Sequence, residues 1–305
     1  MASEMLVIVR KTSRLRIGES HVSALGDYVH HGHGQMKINR HVKGVLGRLV
    51  GIRKLKRSLS GRAAILCLHS VTAEKCSDGD PVRVSANQLR VLFGLLREHF
   101  TVIPLTKLVE KLESKHDLCG EVVISFDDGY KDNYELAAPM LHELGLPATF
   151  FVTTNFIGSK AVPFWEAAQN RAPQWMSWSD VQELAKHGFD IGAHSMSHQD
   201  LGKCAAEQLV EEIANCKAAL ESRLSAPVRH FAFPFGGPVN YSDDAVTVVQ
   251  RAGYRCAVTC YGGLVSKGDH LFTLGRVPYS AWYLSAYQFM FGQAREYGDT
   301  FTASP

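Results

Sequence analysis

The sequence has no run of about 18 apolar residues, the length a membrane-spanning helix needs, so no transmembrane helix is expected. It also lacks an ordered cysteine array. Cys67, Cys76, Cys119, Cys204, Cys216, Cys256 and Cys260 are irregularly spaced, which argues against a disulfide framework and for reduced, mostly buried thiols. The opening residues show no basic region followed by an apolar core and a small-residue cleavage site. No secretory signal is read there, and a cytoplasmic location is expected. With 46% hydrophobic and 21% charged residues, 26 Gly and 11 Pro, collagen-like and wholly disordered classes are excluded. No sequence repeat recurs at a fixed period.

Acidic residues are scarce at one end of the chain. Residues 1–60 hold 12 Lys/Arg against 3 Asp/Glu, whereas the remainder holds 21 against 27. The basic character therefore belongs to an N-terminal extension and says little about a site elsewhere. Within it, residues 1–35, with the run His30-His31-Gly32-His33-Gly34, read as an unstructured tail, and a metal-binding tract is the competing reading. Residues 36–60 contain no acid. Ile38, Val42, Val45, Leu49, Ile52, Leu55 and Leu59 recur there at three- and four-residue steps, one face of a basic amphipathic helix. Such a helix can lie on an anionic membrane face, as a peripheral contact, or pack on its own domain. Both readings stay open here.

From Ala63 onward, short apolar β-rich runs alternate with helical periodicity. Strands are expected at 63–68, 101–103, 121–126, 148–153, 189–193, 230–233 and 257–259. Helices are expected at 85–99 (with Ser85 as N-cap), 105–112, 133–144, 179–187, 205–224 and 242–252. This is the pattern of βαβ units on a parallel sheet. About seven of them, with polar residues at strand ends, favour an α/β fold closed into a deformed (β/α) barrel.

Three strand ends carry unusual residues. Ser125-Phe126-Asp127-Asp128-Gly129 places adjacent carboxylates where a buried strand meets a loop. One can ligate a cation while the other takes a proton, although Asp-Asp-Gly is also a common turn. His194-Ser195-Met196-Ser197-His198 places two imidazoles four residues apart, able to converge on one ion or to serve as ordinary core or surface histidines. Phe233-Pro234-Phe235-Gly236-Gly237 fixes an exposed backbone bend where a main-chain N–H can face a developing oxyanion. Cys256 and Cys260 bracket an apolar strand and read as core.

In this order and spacing the three segments resemble the motifs of the polysaccharide deacetylases, the NodB-homology group of carbohydrate esterase family four. The likeness runs from about Arg62 to Phe291, and Met176-Ser177-Trp178, Ala252-Gly253-Tyr254 and Leu274-Gly275-Arg276-Val277 agree with it. The resemblance implies a barrel holding one divalent metal ion, Zn or else Co, Ni or Fe, on Asp128, His194 and His198. It makes Asp127 the general base toward the attacking water, and the Phe235 N–H a stabiliser of the oxyanion. Two family features are missing. Ala232 and Phe233 stand where many members carry an arginine before the third-motif proline. Arg276 stands where many carry the histidine that acts as general acid, a proton donation arginine cannot make near neutral pH. Cys67-Leu68-His69-Ser70-Val71 resembles the tyrosine–histidine motif of the permuted exopolysaccharide N-deacetylases, and makes His69 the candidate acid. Arg276 is then free to pair with Asp127.

The expected activity is metal-dependent removal of N-acetyl groups from an amino-sugar polysaccharide. The expected partner is an N-acetylated glycan or a lipid-linked glycan precursor, not nucleic acid. A catalytically degenerate carbohydrate-binding or scaffold protein is the alternative, and the intact Asp127, Asp128, His194 and His198 argue against it. Phosphatase chemistry from the paired aspartates would leave both histidines unexplained. Trp178, Pro234 and Tyr241 are the expected substrate contacts, with Phe164, Trp165 and Trp282 as further stacking faces; core packing is the competing role for each aromatic. The expected division is an extension over 1–60, a catalytic domain over 61–295 and a tail over 296–305.

Overall fold

Alternate residues of a strand face opposite ways, and that rule sorts this chain into a bore and a jacket. The computed structural model describes residue 52, residues 55–76 and residues 80–280. The tail, most of the expected basic helix, and Trp282 lie outside the described residues. The first elements are β1 (Arg62–Leu68), β2 (Ser70–Thr72), β3 (Arg83–Ser85), α1 (Ala86–His99), α2 (Leu105–Glu113) and β4 (Val122–Phe126). A π-helical turn, Asn133–Ala137, leads into α3 (Ala138–Leu144), followed by β5 (Thr149–Val152), α4 (Phe164–Ala167), α5 (Trp178–Lys186) and β6 (Asp190–Ala193). Then come α6 (Ala206–Val210), α7 (Cys216–Leu224), β7 (His230–Ala232), α8 (Asp243–Arg251), β8 (Cys256–Gly262), β9 (Val265–Ser266) and β10 (Leu274–Pro278).

Strands β1, β4, β5, β6, β7, β8 and β10 pair in parallel in that order, and β10 returns to β1. The result is a closed seven-stranded barrel. β9 adds an antiparallel edge to the start of β1. The expected strand at 101–103 supplies only a single bridge, Val102 to Val122, and the seventh stave is β10 instead. The helix expected over 205–224 is interrupted by a π-helical segment, Glu211–Asn215. Ser85 caps α1 with a full capping box, its side chain accepting from the Gln88 N–H.

Outward-facing Leu66, Leu68, Ile124, Phe126, Phe150 and Phe231 pack beneath the helices in one large apolar layer. Leu55 and Leu59, the end of the expected amphipathic face, are buried in the same layer, so these two pack on their own domain. Inward-facing Ile65, Val123, Phe151, Ala232, Val258 and Leu274 fill one end of the bore with Leu105, Leu108, Val109 and Leu112 of α2. Gly192 leaves space that Phe151 occupies: a Cβ there would lie 2.3 Å from the ring.

Candidate active site

Continuing the inward rows toward the strand C-termini changes their chemistry. After Val123 come Ser125 and Asp127; after Ile65 comes Cys67; after Leu274 comes Arg276; after Val258 comes Cys260. Arg276 is completely buried, a position a guanidinium holds only when its donors are met. Its Nη1 and Nη2 donate to the two oxygens of Asp127 at 2.7 and 2.6 Å, its Nε to the Thr259 carbonyl at 2.5 Å, and Nη1 also to Ser125 Oγ at 3.1 Å. The two-pronged fork fixes the carboxylate plane. Burial alone would raise the Asp127 pKa, but the charge and hydrogen bonds of Arg276 outweigh it and hold the group below the ordinary carboxylate value.

Strict alternation would turn Asp128 out of the bore. Its φ of +75° breaks the extended run, and both carboxylates reach one cavity. Ser195 and His198 are also left-handed, at +62° and +59°. The turn that carries them is pinned by His198 N–H donating to Ser195 Oγ, and by Ser197 N–H and Oγ donating to Glu212. With Phe235, four non-glycine residues at one site hold this costly conformation, which marks a geometry imposed by its surroundings.

His194 Nδ1 lies 2.8 Å from the Ala232 carbonyl, which assigns the proton to that nitrogen and leaves Nε2 a lone pair. His194 Nε2 and His198 Nε2 each stand 3.3 Å from Asp128 Oδ1. That oxygen is buried with no hydrogen-bond partner. Two ligands at about 2.0–2.1 Å from a tetrahedral ion would stand about 3.3 Å apart, so the donor set fits a borderline divalent cation such as zinc. Burial lowers the His198 pKa despite Asp128, and keeping an imidazole neutral suits ligation. Burial alone would raise the Asp128 pKa, but the two imidazoles beside it outweigh burial and hold the carboxyl far below its ordinary value.

His69 follows β1 and borders the same cavity. Asn133 Nδ2 donates to the His69 carbonyl at 2.8 Å, while Asp132 accepts from Ser70 Oγ and the Val71 N–H at 2.7 and 2.9 Å. Phe235, at φ +61°, turns the chain over the cavity, its ring edge-on to His198. Gly236 is required beside it, since a Cβ would lie 2.0 Å from the Cys260 nitrogen. The cavity, about 90 Å³ with room for several waters, is walled by Phe164, Trp165, Phe235 and Tyr261.

The structure thus brings together Asp127, Asp128, His69, His194, His198 and Phe235, with Arg276 behind Asp127. The three expected substrate contacts do not line the cavity. Trp178 begins α5 and packs on the outer apolar layer, beneath the Arg223 guanidinium. Tyr241 stacks on Phe233, behind the wall. Pro234 is buried, its carbonyl accepting from Gly236 N–H. Phe164 and Trp165 do face the cavity. Trp165 is held by its Nε1 donating to Tyr130 Oη, which donates to the fully buried Glu166, itself paired with Arg83 and Arg171. Sequence reasoning missed this network, whose members are scattered over about 90 residues. It also placed Cys260 in the core, although the strand parity of Val258 carries it toward the cavity.

The family model for polysaccharide deacetylase matches residues 115–257. The Bacillus subtilis (strain 168) protein YxkH, which bears a polysaccharide deacetylase name, is 25% identical over 228 residues, 74% of each chain. A Staphylococcus aureus poly-beta-1,6-N-acetyl-D-glucosamine N-deacetylase is 24% identical over 159 residues, 51% of this chain and 53% of its own length, so the match spans about half of that relative. Among solved structures, IcaB from Ammonifex degensii shares the fold with a TM-score of 0.65 and 20% identity, covering 77% of this chain and 98% of that one.

Proposed function

We propose that this chain, which belongs to the polysaccharide deacetylase family, removes N-acetyl groups from an amino-sugar polysaccharide by metal-assisted hydrolysis. The observation that carries the reading is the adjacency of an ionised, arginine-clamped Asp127 to the Asp128, His194 and His198 donor set in one aromatic-walled cavity. Asp128, His194 and His198 would hold the ion, which supplies Lewis acidity toward an acetamide carbonyl and makes water a competent nucleophile near neutral pH.

The protein's own groups do the rest. Asp127 takes the proton of the attacking water, its two oxygens kept in position by Arg276. The Phe235 N–H faces the charge that develops on the carbonyl oxygen. His69 gives a proton to the leaving amine, the task that Arg276 cannot perform at its position in the sequence. Phe164, Trp165 and Tyr261 offer flat faces for a pyranose ring, and they replace Trp178, Pro234 and Tyr241 as the expected contacts. An N-acetylated glucosamine polymer, the substrate in the name of the Staphylococcus aureus relative, is the first substrate to try.

Acetate release from an N-acetylglucosamine oligomer tests the proposal. Turnover by the zinc-loaded protein, abolished in Asp127→Asn with metal content unchanged, is expected. A loaded, folded protein that releases no acetate from N-acetylated glycans would overturn it.

A further inference from the structure

Beside the proposed catalytic ion lies a second group of metal-ligating atoms. Cys67 Sγ, Cys260 Sγ and a ring nitrogen of His69 all fall within 4.8 Å of one another, and His69 and Cys260 face the cavity. The inward parity of β1 and β8 brings the two thiols to one end of the bore from strands that are not neighbours in the sheet. We propose that Cys67, His69 and Cys260 form a second metal site, for a thiophilic divalent cation of which Zn²⁺ is the cellular example.

Three observations support it. The two sulfurs stand 3.6 Å apart. Two thiolates bound at about 2.3 Å to one tetrahedral ion would stand about 3.8 Å apart, so little movement is needed. Two sulfurs and an imidazole are also a soft donor set, unlike the oxygen and two nitrogens of the neighbouring group, and they select zinc or cadmium over magnesium or calcium. Finally, the charges close. With both thiols ionised beside Asp127, three negative charges face the single positive charge of Arg276, and a divalent ion restores neutrality. Binding releases two thiol protons. The fourth ligand position is left for water or a ligand atom on the cavity side.

One consequence rests on the functional reading above. An ion on His69 occupies the ring that would otherwise serve the leaving amine. It also takes the Cys67 thiol from Asp127, to which that sulfur is 3.5 Å away. Metal in excess of one ion per chain therefore inhibits the enzyme that the first ion activates, and cysteine and histidine make the inhibition reversible by chelation.

The direct test is cadmium binding to the full-length metal-free protein under a phosphine reductant, followed by equilibrium dialysis and by the ultraviolet sulfur-to-cadmium charge-transfer band. Two ions per chain and a strong band are expected. His194→Ala/His198→Ala is expected to bind one ion and keep the band. Cys67→Ser/Cys260→Ser is expected to bind one ion and lose it. Should that double variant not fold, His69→Ala and Cys260→Ala serve instead, each weakening the band-forming ion at least tenfold. No band in folded wild-type protein overturns the proposal. So does a band that survives both cysteine substitutions, since it then belongs to Cys76, Cys119 or Cys204. Neither readout involves turnover, so a chain that is not a deacetylase can still pass this test, and a deacetylase can fail it.

Discussion

The two ends of the barrel bore are built by the same strands and obey opposite rules. At the α2 end, Ile65, Val123, Val258 and Leu274 meet Leu105, Leu108 and Val109 in a packed apolar plug. Two or four residues further along these strands, the inward rows hold Cys67, Ser125, Asp127, Cys260 and Arg276. The plug gains free energy by excluding water. The other end spends some of it by burying two aspartates, an arginine and a histidine in a small volume. That division assigns stability to one end and chemistry to the other, the arrangement expected where parallel strands present their C-termini around a site.

The contrast breaks most sharply if the metal group is removed. His194→Ala/His198→Ala is expected to lose the ion of the Asp128 group and to lower turnover by about 10³-fold or more, since Lewis-acid stabilisation contributes several kcal/mol. Metal analysis beside acetate release checks this. Chelation of the wild type should reproduce the loss, and zinc should reverse it. His69→Ala comes next. It is expected to keep the catalytic ion and lose about 10²- to 10⁴-fold in kcat, the usual range for a general acid. Near-normal turnover would reassign the proton donor.

Arg276→Met probes the join between the two ends. The buried Asp127 carboxyl would lose the charge that holds its pKa down, and burial would then push it above the ordinary carboxylate value. In the wild type, the stability contributed by this pair is present above the unfolded carboxylate pKa of about 3.9 and is lost as pH falls through the lower folded value. The variant should lose about 3–5 kcal/mol at neutral pH, the cost of leaving a buried charge without its partner. The acid limb of its pH–rate profile should move to higher pH, because the base must be ionised to work. Urea unfolding and the pH profile read the two effects separately, and an unmoved limb would detach Arg276 from the base. At the apolar end, Leu108→Ala should cost about 2–5 kcal/mol of stability with kcat unchanged at a temperature where the variant stays folded. A comparable fall in kcat would show that the ends are not separable.

The apolar end was also the more legible one. Runs such as Ala63–Leu68 and Glu121–Phe126 announce buried strands through composition alone, and Ser85 announces the start of α1. The stave at Leu274–Pro278 was read only as a strand end, because a glycine and an arginine interrupt its apolar pattern. Those two residues are the ones the site and the close approach to Gly262 require. Asp127, Asp128, His194 and His198 were legible from local spacing, and Arg276 from its displacement of a familiar histidine. The cavity wall was legible only in part: Phe164 and Trp165 stood among the candidate stacking faces, and Tyr261 did not. Trp178 and Tyr241 lie next to motif segments in the chain, but helix capping and ring stacking direct them to the outer layer. Trp165 reaches the cavity from α4 and Tyr261 from the end of β8, and the placing of α4 depends on contacts such as Glu166 with Arg83 and Arg171.

A finer probe of the polar end lies under the loop that carries His69. Burial raises the Asp132 carboxyl to about 7, against the pull of Ser70 and the Val71 N–H. The folded protein therefore keeps this proton to near neutrality, while the unfolded chain releases it near pH 4. Its contribution to stability is fully present below the unfolded value and is lost as pH rises through the folded one. Asp132→Asn cannot titrate. Its amide oxygen can still accept from the Val71 N–H, and the Ser70 hydroxyl can rotate to accept from the amide nitrogen. The variant should therefore gain stability relative to the wild type as pH rises from 4 to 7.5, by an amount that urea midpoints at the two pH values resolve. Parallel midpoints at both would mean that Asp132 is ionised in the folded protein across this range, and that the His69 loop is anchored by a carboxylate rather than by a neutral acid.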